Sequence, residues 1–143
     1  MQIRSILAEK GTDVQTIGPN VDVLVAADQM KAHEIAALVV TDDDAVVGLV
    51  SEREFVRAAA ARRGSILGLK VDDLMLKHPA TCSPDDSITA VMEKMTSKRQ
   101  RQMPVVEDDR LVGIVSIGDM VKSRLNEMEL ESRVLRDTIR TRG

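Results

Sequence analysis

A serine and a carboxylate three residues apart occur twice in the chain, each time after a glycine and two apolar residues. The two segments are 48–54, with Ser51 and Glu54, and 113–119, with Ser116 and Asp119. A serine between a strand and a helix caps the helix, and the N–H groups at a helix start attract anions. A carboxylate three positions later can accept two hydrogen bonds from a ribose diol. The spacing is also that of a capping box, so the segments have both a structural and a ligand-binding interpretation.

Two arginines, Arg99 and Arg101, lie in the basic segment 98–102. A guanidinium group can contact a phosphate through two parallel hydrogen bonds, so the segment is a candidate anion site. A solvated basic turn is the alternative interpretation. A further cation, Arg53, lies inside the first serine segment and could serve the same purpose.

The two serine segments belong to a longer internal repeat. Residues 16–56 align with 81–121 without a gap, and the alignment matches a proline, an acidic pair, a glycine and a serine in the same order. Chance does not place these residue types together, so the chain contains two copies of one unit.

Each copy has the pattern of a β-α-β-β-α unit, which predicts an α+β fold. Apolar residues at helical spacing follow candidate N-caps at Asp22 and at 86–87, and two apolar runs around an acidic turn predict a hairpin. A unit of this size buries little core alone, so we expect the copies to pack with pseudo-twofold symmetry and two clefts at their junction. The predicted divisions are 1–63 for the first repeat with a short N-terminal helix, 64–70 for a linker, and 71–143 for the second repeat with a long C-terminal helix.

Composition narrows the function. The chain has 143 residues, a net charge of −3, one cysteine and two histidines, and no grouping of residue types indicates a catalytic centre or a metal site. We therefore expect neither an enzyme nor a nucleic-acid binder. No apolar run is long enough to span a membrane and no secretory segment is visible, so we expect a cytoplasmic protein without membrane contact.

The repeat and its motifs resemble a tandem pair of CBS domains, also called a Bateman module, and in particular small bacterial proteins that carry little beyond the pair. The resemblance covers residues 6–121 and rests on two glycine–serine–acid segments at one offset, each with its Thr-x-x-Pro segment and acidic hairpin. It implies non-enzymatic binding of an adenosine compound: AMP, ADP, ATP, NAD(H) or an S-adenosyl compound. In the family an aspartate binds the ribose, which implies this role for Asp119. Glu54 departs from the family's aspartate and Gln102 from its histidine.

The resemblance also implies that adenine lies between the Thr-containing segment and the first hairpin strand. Core packing is the alternative role for the apolar residues among these candidates. Because the basic pair has no counterpart in the first copy, we expect the two clefts to differ in affinity or in ligand. The full set of predicted nucleotide-binding residues is Thr16, Ile17, Ser51, Arg53, Glu54, Thr81, Cys82, Arg99, Arg101, Gln102, Met103, Pro104, Ser116, Gly118 and Asp119.

The C-terminal segment carries apolar residues at alternating spacings of four and three, from Val121 to Ile139. This spacing predicts an amphipathic helix that either lies on its own module or joins two copies, and the resemblance favours a homodimer. The leading hypothesis is a nucleotide sensor that signals by a conformational or dimer rearrangement, with an unidentified effector protein as a further partner. The alternatives are a ligand-independent scaffold for dimerisation and docking and, with least support, an enzyme acting on nucleotides. We also expect loss of the Asp119 carboxylate to weaken binding more than loss of the Glu54 carboxylate.

Overall fold

The structure is a computed structural model that describes residues 1–142, with the side chains of residues 1–140. This part of the chain contains six helices and six strands. In chain order they are α1 (Ile3–Lys10), β1 (Thr16–Ile17), α2 (Val23–His33), β2 (Ala37–Asp42), β3 (Ala45–Ser51), α3 (Glu52–Ala61), α4 (Val71–Leu74), β4 (Leu76–Lys77), α5 (Ile88–Lys98), β5 (Gln102–Glu107), β6 (Arg110–Ser116) and α6 (Ile117–Arg142).

The predicted α+β repeat is confirmed. In the first copy, β1 pairs with β2 in parallel and β2 pairs with β3 as an antiparallel hairpin. In the second copy, β5 and β6 form the matching hairpin, and Cys82 bridges Val105 in parallel as Ile17 pairs with Val40 in the first. Neither α4 nor β4 is predicted from the sequence, and β4 adds a fourth strand to the first sheet.

Both hairpins turn on a pair of aspartates in the left-handed region. Asp43 and Asp44 have φ of 48° and 65°, and Asp108 and Asp109 have φ of 52° and 60°. Two central residues with positive φ make the tight turn whose twist matches that of the flanking strands, and aspartate tolerates this conformation better than most residues. The acidic pairs are therefore explained by hairpin geometry.

Helices α2 and α5 begin and end in the same way. The side chain of Asp22 accepts a hydrogen bond from the Leu24 amide at 2.8 Å, and the Ser87 hydroxyl accepts one from the Ala90 amide at 3.0 Å. These contacts confirm the predicted N-caps. Both helices end at a non-glycine residue in the left-handed conformation, Glu34 after α2 and Arg99 after α5.

The N-terminal helix packs against the second copy, although the predicted boundaries assign it to the first. Ile3, Ile6 and Leu7 of α1 lie in the same apolar cluster as Met103 and Val105. Conversely, Val71 of α4 lies in the core of the first copy with Leu38 and Val40. Backbone bonds hold each exchanged helix to the loop before the first long helix of the other copy: Ile3 N donates to Asp86 O at 3.0 Å, and Val71 N donates to Val21 O at 2.8 Å.

Glycines in the second hairpin strand of each copy make room for these exchanged helices. A Cβ added at Gly113 would lie 2.6 Å from Cδ2 of Leu7, and one added at Gly48 would overlap Sδ of Met75. The glycine of the repeated motif therefore has a packing role.

A third apolar cluster joins the copies, because Val39 and Leu49 of the first hairpin pack against Leu111 and Ile114 of the second. This contact between the two hairpins holds the copies against each other. Within residues 1–142, no helix combines the length and the apolar character needed to cross a membrane.

Candidate functional site

A cleft of about 770 Å³ opens between the copies, within the size range of small-molecule sites. One wall is the start of α3 in the first copy, and the other is the end of α5 with the start of β5 in the second. The cleft brings together six of the predicted nucleotide-binding residues: Ser51, Arg53, Glu54, Arg99, Arg101 and Gln102.

Two acidic residues line this cleft: Glu52 is exposed, whereas Glu54 is buried, with only 7% of its surface exposed. Its Oε1 accepts hydrogen bonds from the amide of Ser51 at 2.9 Å and from the hydroxyl of Ser51 at 2.6 Å. These contacts stabilise the start of α3, as the capping interpretation predicts. Within the described part of the chain Oε2 has no hydrogen-bond partner, yet it is not sealed from solvent. One carboxylate oxygen is thus committed to the cap, and the other is free for a further donor.

Three arginines, Arg53, Arg99 and Arg101, line the same cleft as that carboxylate. Arg53 Nη1 donates to the carbonyl oxygen of Arg99 and so links the two copies directly across the cleft. The left-handed conformation of Arg99 ends α5, and Arg101 follows two residues later; both side chains are exposed. The site therefore combines one recessed carboxylate with cations at its rim.

Gln100, which is not among the residues predicted from the sequence, lies between the two arginines and lines the cleft. It is 5% exposed, donates to the carbonyl oxygens of Ala80 at 2.8 Å and Gln102 at 3.0 Å, and accepts from the Ala80 amide at 3.0 Å. These bonds fix the segment that presents the arginines. Its neighbours in sequence are charged, so no pattern marked it as buried.

Asp119 does not line this cleft, so the structure separates it from Arg99 and Arg101, the other charged candidates of the second copy. Its Oδ2 accepts from the Ser116 amide at 2.8 Å and from Nζ of Lys10 at 2.7 Å, and Lys10 also donates to the Ile114 carbonyl at 2.9 Å. Burial acts to raise the pKa of Asp119, but the hydrogen bonds from Lys10 and Ser116 outweigh it and hold the pKa below its ordinary value. Because α1 packs on the second copy, its residue Lys10 provides the cation that pairs with Asp119.

The predicted adenine-contacting residues also lie outside this cleft. Ile17 is buried in the core of the first copy, and Cys82 and Met103 are buried in that of the second. Backbone bonds join the Cys82 amide to the Pro104 carbonyl at 3.0 Å. Burial also raises the pKa of the Cys82 thiol to about 12, which leaves it a neutral, inert side chain. The other predicted residues outside the cleft are Thr16, Thr81, Pro104, Ser116 and Gly118.

A second, shallower pocket of about 570 Å³ adjoins the cleft and shares Ala36, Glu52 and Val56 with it. It is formed by the first copy alone and includes Phe55, the chain's one aromatic residue. Because the two pockets share Ala36, Glu52 and Val56, they form one continuous surface.

No group of three or more metal-ligating side chains occurs among the described residues. The side chains that line the cleft carry acidic, guanidinium, amide, hydroxyl and apolar groups. This set can bind an organic anion.

Comparison with known proteins identifies the repeat. The model of the CBS domain matches residues 4–61 and again 71–126. The chain belongs to the CBS-domain family. Its tandem arrangement is that of a CBS pair, as the solved structures of relatives also show.

Three relatives place this CBS pair among known ones. The crystal structure of a CBS-domain containing protein from Agrobacterium tumefaciens is 42% identical, with a TM-score of 0.83, and the match covers 87% of this chain and 99% of that one. The CBS domain pair of protein MJ0100, solved with 5′-methylthioadenosine and S-adenosyl-L-methionine, is 25% identical with a TM-score of 0.76, covering 90% and 98%. A mitochondrial CBS domain-containing protein from Arabidopsis thaliana, CBSX3, is 33% identical over 71% of this chain, which spans 52% of that protein.

Proposed function

We propose that this CBS pair is a non-enzymatic regulatory module that binds a phosphate-bearing adenosine compound, such as AMP, ADP, ATP or NAD(H), in the cleft between its copies. The observation that carries the proposal is the meeting of Glu54 with Arg53, Arg99 and Arg101 at one cleft. No catalytic cofactor enters the proposal.

The carboxylate supplies the sugar contact. Oε2 of Glu54 has no protein donor in the described chain, while Oε1 is held by Ser51, so the group is fixed in orientation before a ligand arrives. A ribose diol offers the hydroxyl donors that such an oxygen lacks. This pre-organisation lowers the entropic cost of binding.

The arginines select for phosphate. Three guanidinium groups at the rim attract an anion and disfavour a sulfonium cation, because like charges repel at short range. Binding of adenosine compounds by the MJ0100 pair supports the general ligand class. The charge of this cleft favours a ligand that carries phosphate over the two compounds found in that protein.

Signalling follows from the position of the cleft. A ligand that contacts Glu54 on one copy and Arg101 on the other binds best at one relative angle of the copies. It therefore shifts the population toward that angle, by as much as its affinities for the two arrangements differ. We propose that a homodimer and an effector protein read this change.

Calorimetric titration with AMP, ATP and NADH tests the binding proposal. We expect heat of binding from at least one of them and a rise in the melting temperature set by concentration over Kd. Arg101→Gln should abolish most of the heat of binding. Arg110 is an exposed arginine at the start of β6, outside the cleft, so the control variant Arg110→Gln should bind as the wild type does. The absence of heat from all three ligands with folded protein would rule the proposal out.

A second candidate is a scaffold that dimerises and docks a partner without any ligand. The exposed apolar residues of α6 favour it, since they provide an interaction surface that does not depend on the cleft. This candidate predicts a stable dimer whose melting temperature is unchanged by every nucleotide tested. The same titration series therefore separates it from the sensor.

A further inference from the structure

Helix α6 extends well beyond the body of the CBS pair. The family match ends at residue 126, while the helix continues to Arg142, and every described side chain from Met128 to Arg140 is exposed. An isolated helical segment of this length is marginally stable in water, and helices in proteins gain most of their stability by packing an apolar face. The second half of α6 therefore needs a partner surface.

That helix has a continuous apolar stripe, which we call the α6 seam. Its residues alternate at spacings of four and three, the spacing that keeps side chains on one line in a coiled coil. The apolar members are 45% to 63% exposed. The α6 seam consists of Val121, Leu125, Met128, Ser132, Leu135 and Ile139.

The α6 seam points away from the molecule to which the helix belongs. Met120 and Ser123, which lie on the opposite face of the first turns, are 0% and 7% exposed because they pack on the body. Two copies can therefore bring their seams together with their bodies on the outside. A second copy of this chain presents a stripe of the same residues at the same spacing.

We propose that the α6 seam pairs with the α6 seam of a second copy in a parallel, in-register coiled coil. Charge determines the direction. In a parallel pair, residues that flank the seam meet residues five positions later on the other helix, so Arg124 faces Glu129 and Glu131 faces Arg136. Both contacts join opposite charges.

A fully overlapping antiparallel pair meets repulsion instead. It brings Glu129 against Glu129 of the second copy, Glu131 against Glu131, and Lys122 against Arg136. Like charges at these positions oppose assembly. The parallel arrangement also places Ser132 opposite itself, and a polar residue at one seam position favours a single register.

Single cysteines introduced along the α6 seam test the proposal. Cys82 is buried, so an added surface cysteine is the reactive thiol. The variants are Leu125→Cys, Ser132→Cys and Ile139→Cys, and Leu130→Cys is the matched control because it is equally exposed but off the seam. After mild oxidation, non-reducing electrophoresis measures the disulfide-linked dimer.

We expect all three seam variants to link efficiently and the control to link only weakly. In a parallel, in-register pair each seam residue lies beside the same residue of the second helix, within reach of a disulfide bond. Linking of Ser132→Cys alone would indicate an antiparallel pair and overturn the proposal. Equal linking by seam variants and control would overturn it as well.

Sedimentation provides an independent measurement without cysteines. The wild-type chain should sediment as a dimer, and the double variant Leu125→Gln with Leu135→Gln as a weaker dimer or a monomer. Leu130→Gln with Val134→Gln should sediment as wild type, since these residues lie outside the seam. A wild-type monomer at micromolar concentration, or loss of the dimer only in the Leu130 and Val134 variant, would contradict the proposal.

Discussion

At the scale of single residues, two carboxylates with the same place in the repeat have different surroundings. Glu54 lines the cleft with one oxygen to which no described residue donates, whereas Asp119 is bound by Lys10 and lies outside that cleft. The contacts therefore favour Glu54 as the sugar-binding group. This reverses the ranking that the motif alone suggests.

Glu54→Gln should weaken nucleotide binding by roughly tenfold to a hundredfold, the size expected for loss of a hydrogen bond to a charged group. Asp119→Asn should change the affinity by less than about twofold, because its carboxylate is already occupied. Calorimetric Kd values for both variants check this. A larger loss at Asp119 would restore the ranking drawn from the sequence.

The lowered pKa of Asp119 makes a small part of the stability dependent on pH. The unfolded chain takes up a proton at this group at a higher pH than the folded chain does. The stabilisation is therefore present above the unfolded pKa near 3.8 and is lost as pH falls through the lower folded value.

Lys10→Met should cost about 0.5 to 1 kcal/mol at pH 7, discounted because both groups are partly exposed. The difference between Lys10→Met and wild type should shrink as pH falls from 5 to 2, measured by urea unfolding. A difference that grows in acid would show that Lys10 acts through something other than Asp119.

At the scale of elements, the main finding is the exchange of α1 and α4 between the copies, with a glycine beneath each. Gly113→Ala should destabilise the fold by about 1 to 3 kcal/mol, because its methyl group would press on Leu7, which is 6% exposed. Gly18→Ala is the matched control, since its Cβ meets its nearest neighbour at an ordinary 3.6 Å.

Combining Gly113→Ala with Leu7→Val separates crowding from backbone effects. The smaller side chain should recover part of the stability that Gly113→Ala loses, so the two changes should be non-additive in urea unfolding. Strictly additive losses would mean that Leu7 is not the group that Gly113 accommodates.

The sequence predicts regular elements better than it predicts their partners. Periodicity and caps locate α2 and α5, and the aspartate pairs locate the hairpin turns. However, α4 has four residues and β4 has two, too few to show a period. The exchange of helices also leaves no local trace, since α1 would show the same apolar spacing on either copy.

The candidate site could be predicted only in part, because the sequence shows residue types but not which of them meet in the folded chain. Ser51, Arg53, Glu54, Arg99, Arg101 and Gln102 are recognisable by type, and they do meet in one cleft. Which carboxylate faces the arginines depends on how the pseudo-twofold axis brings the copies together. That relation depends on long-range packing of Leu49 against Ile114, which no short motif encodes.

At the scale of the whole molecule, the two copies offer different chemistry despite their common fold. Glu34 and Ala36 occupy the places in the first copy that Arg99 and Arg101 occupy in the second, and Lys10 neutralises Asp119. We expect one nucleotide per chain with measurable affinity. A calorimetric stoichiometry near two, with both sites binding at similar strength, would contradict this expectation.

The exchanged helices have a further consequence for the integrity of the chain. The connection between α3 and α4 includes exposed Arg62 and Arg63, where trypsin could cleave. Because each fragment would hold a helix embedded in the other, a nicked molecule should stay a single particle in native buffer and come apart only in denaturant. The same interlocking would allow separately expressed halves to reassemble, which makes this fold a natural candidate for fragment complementation.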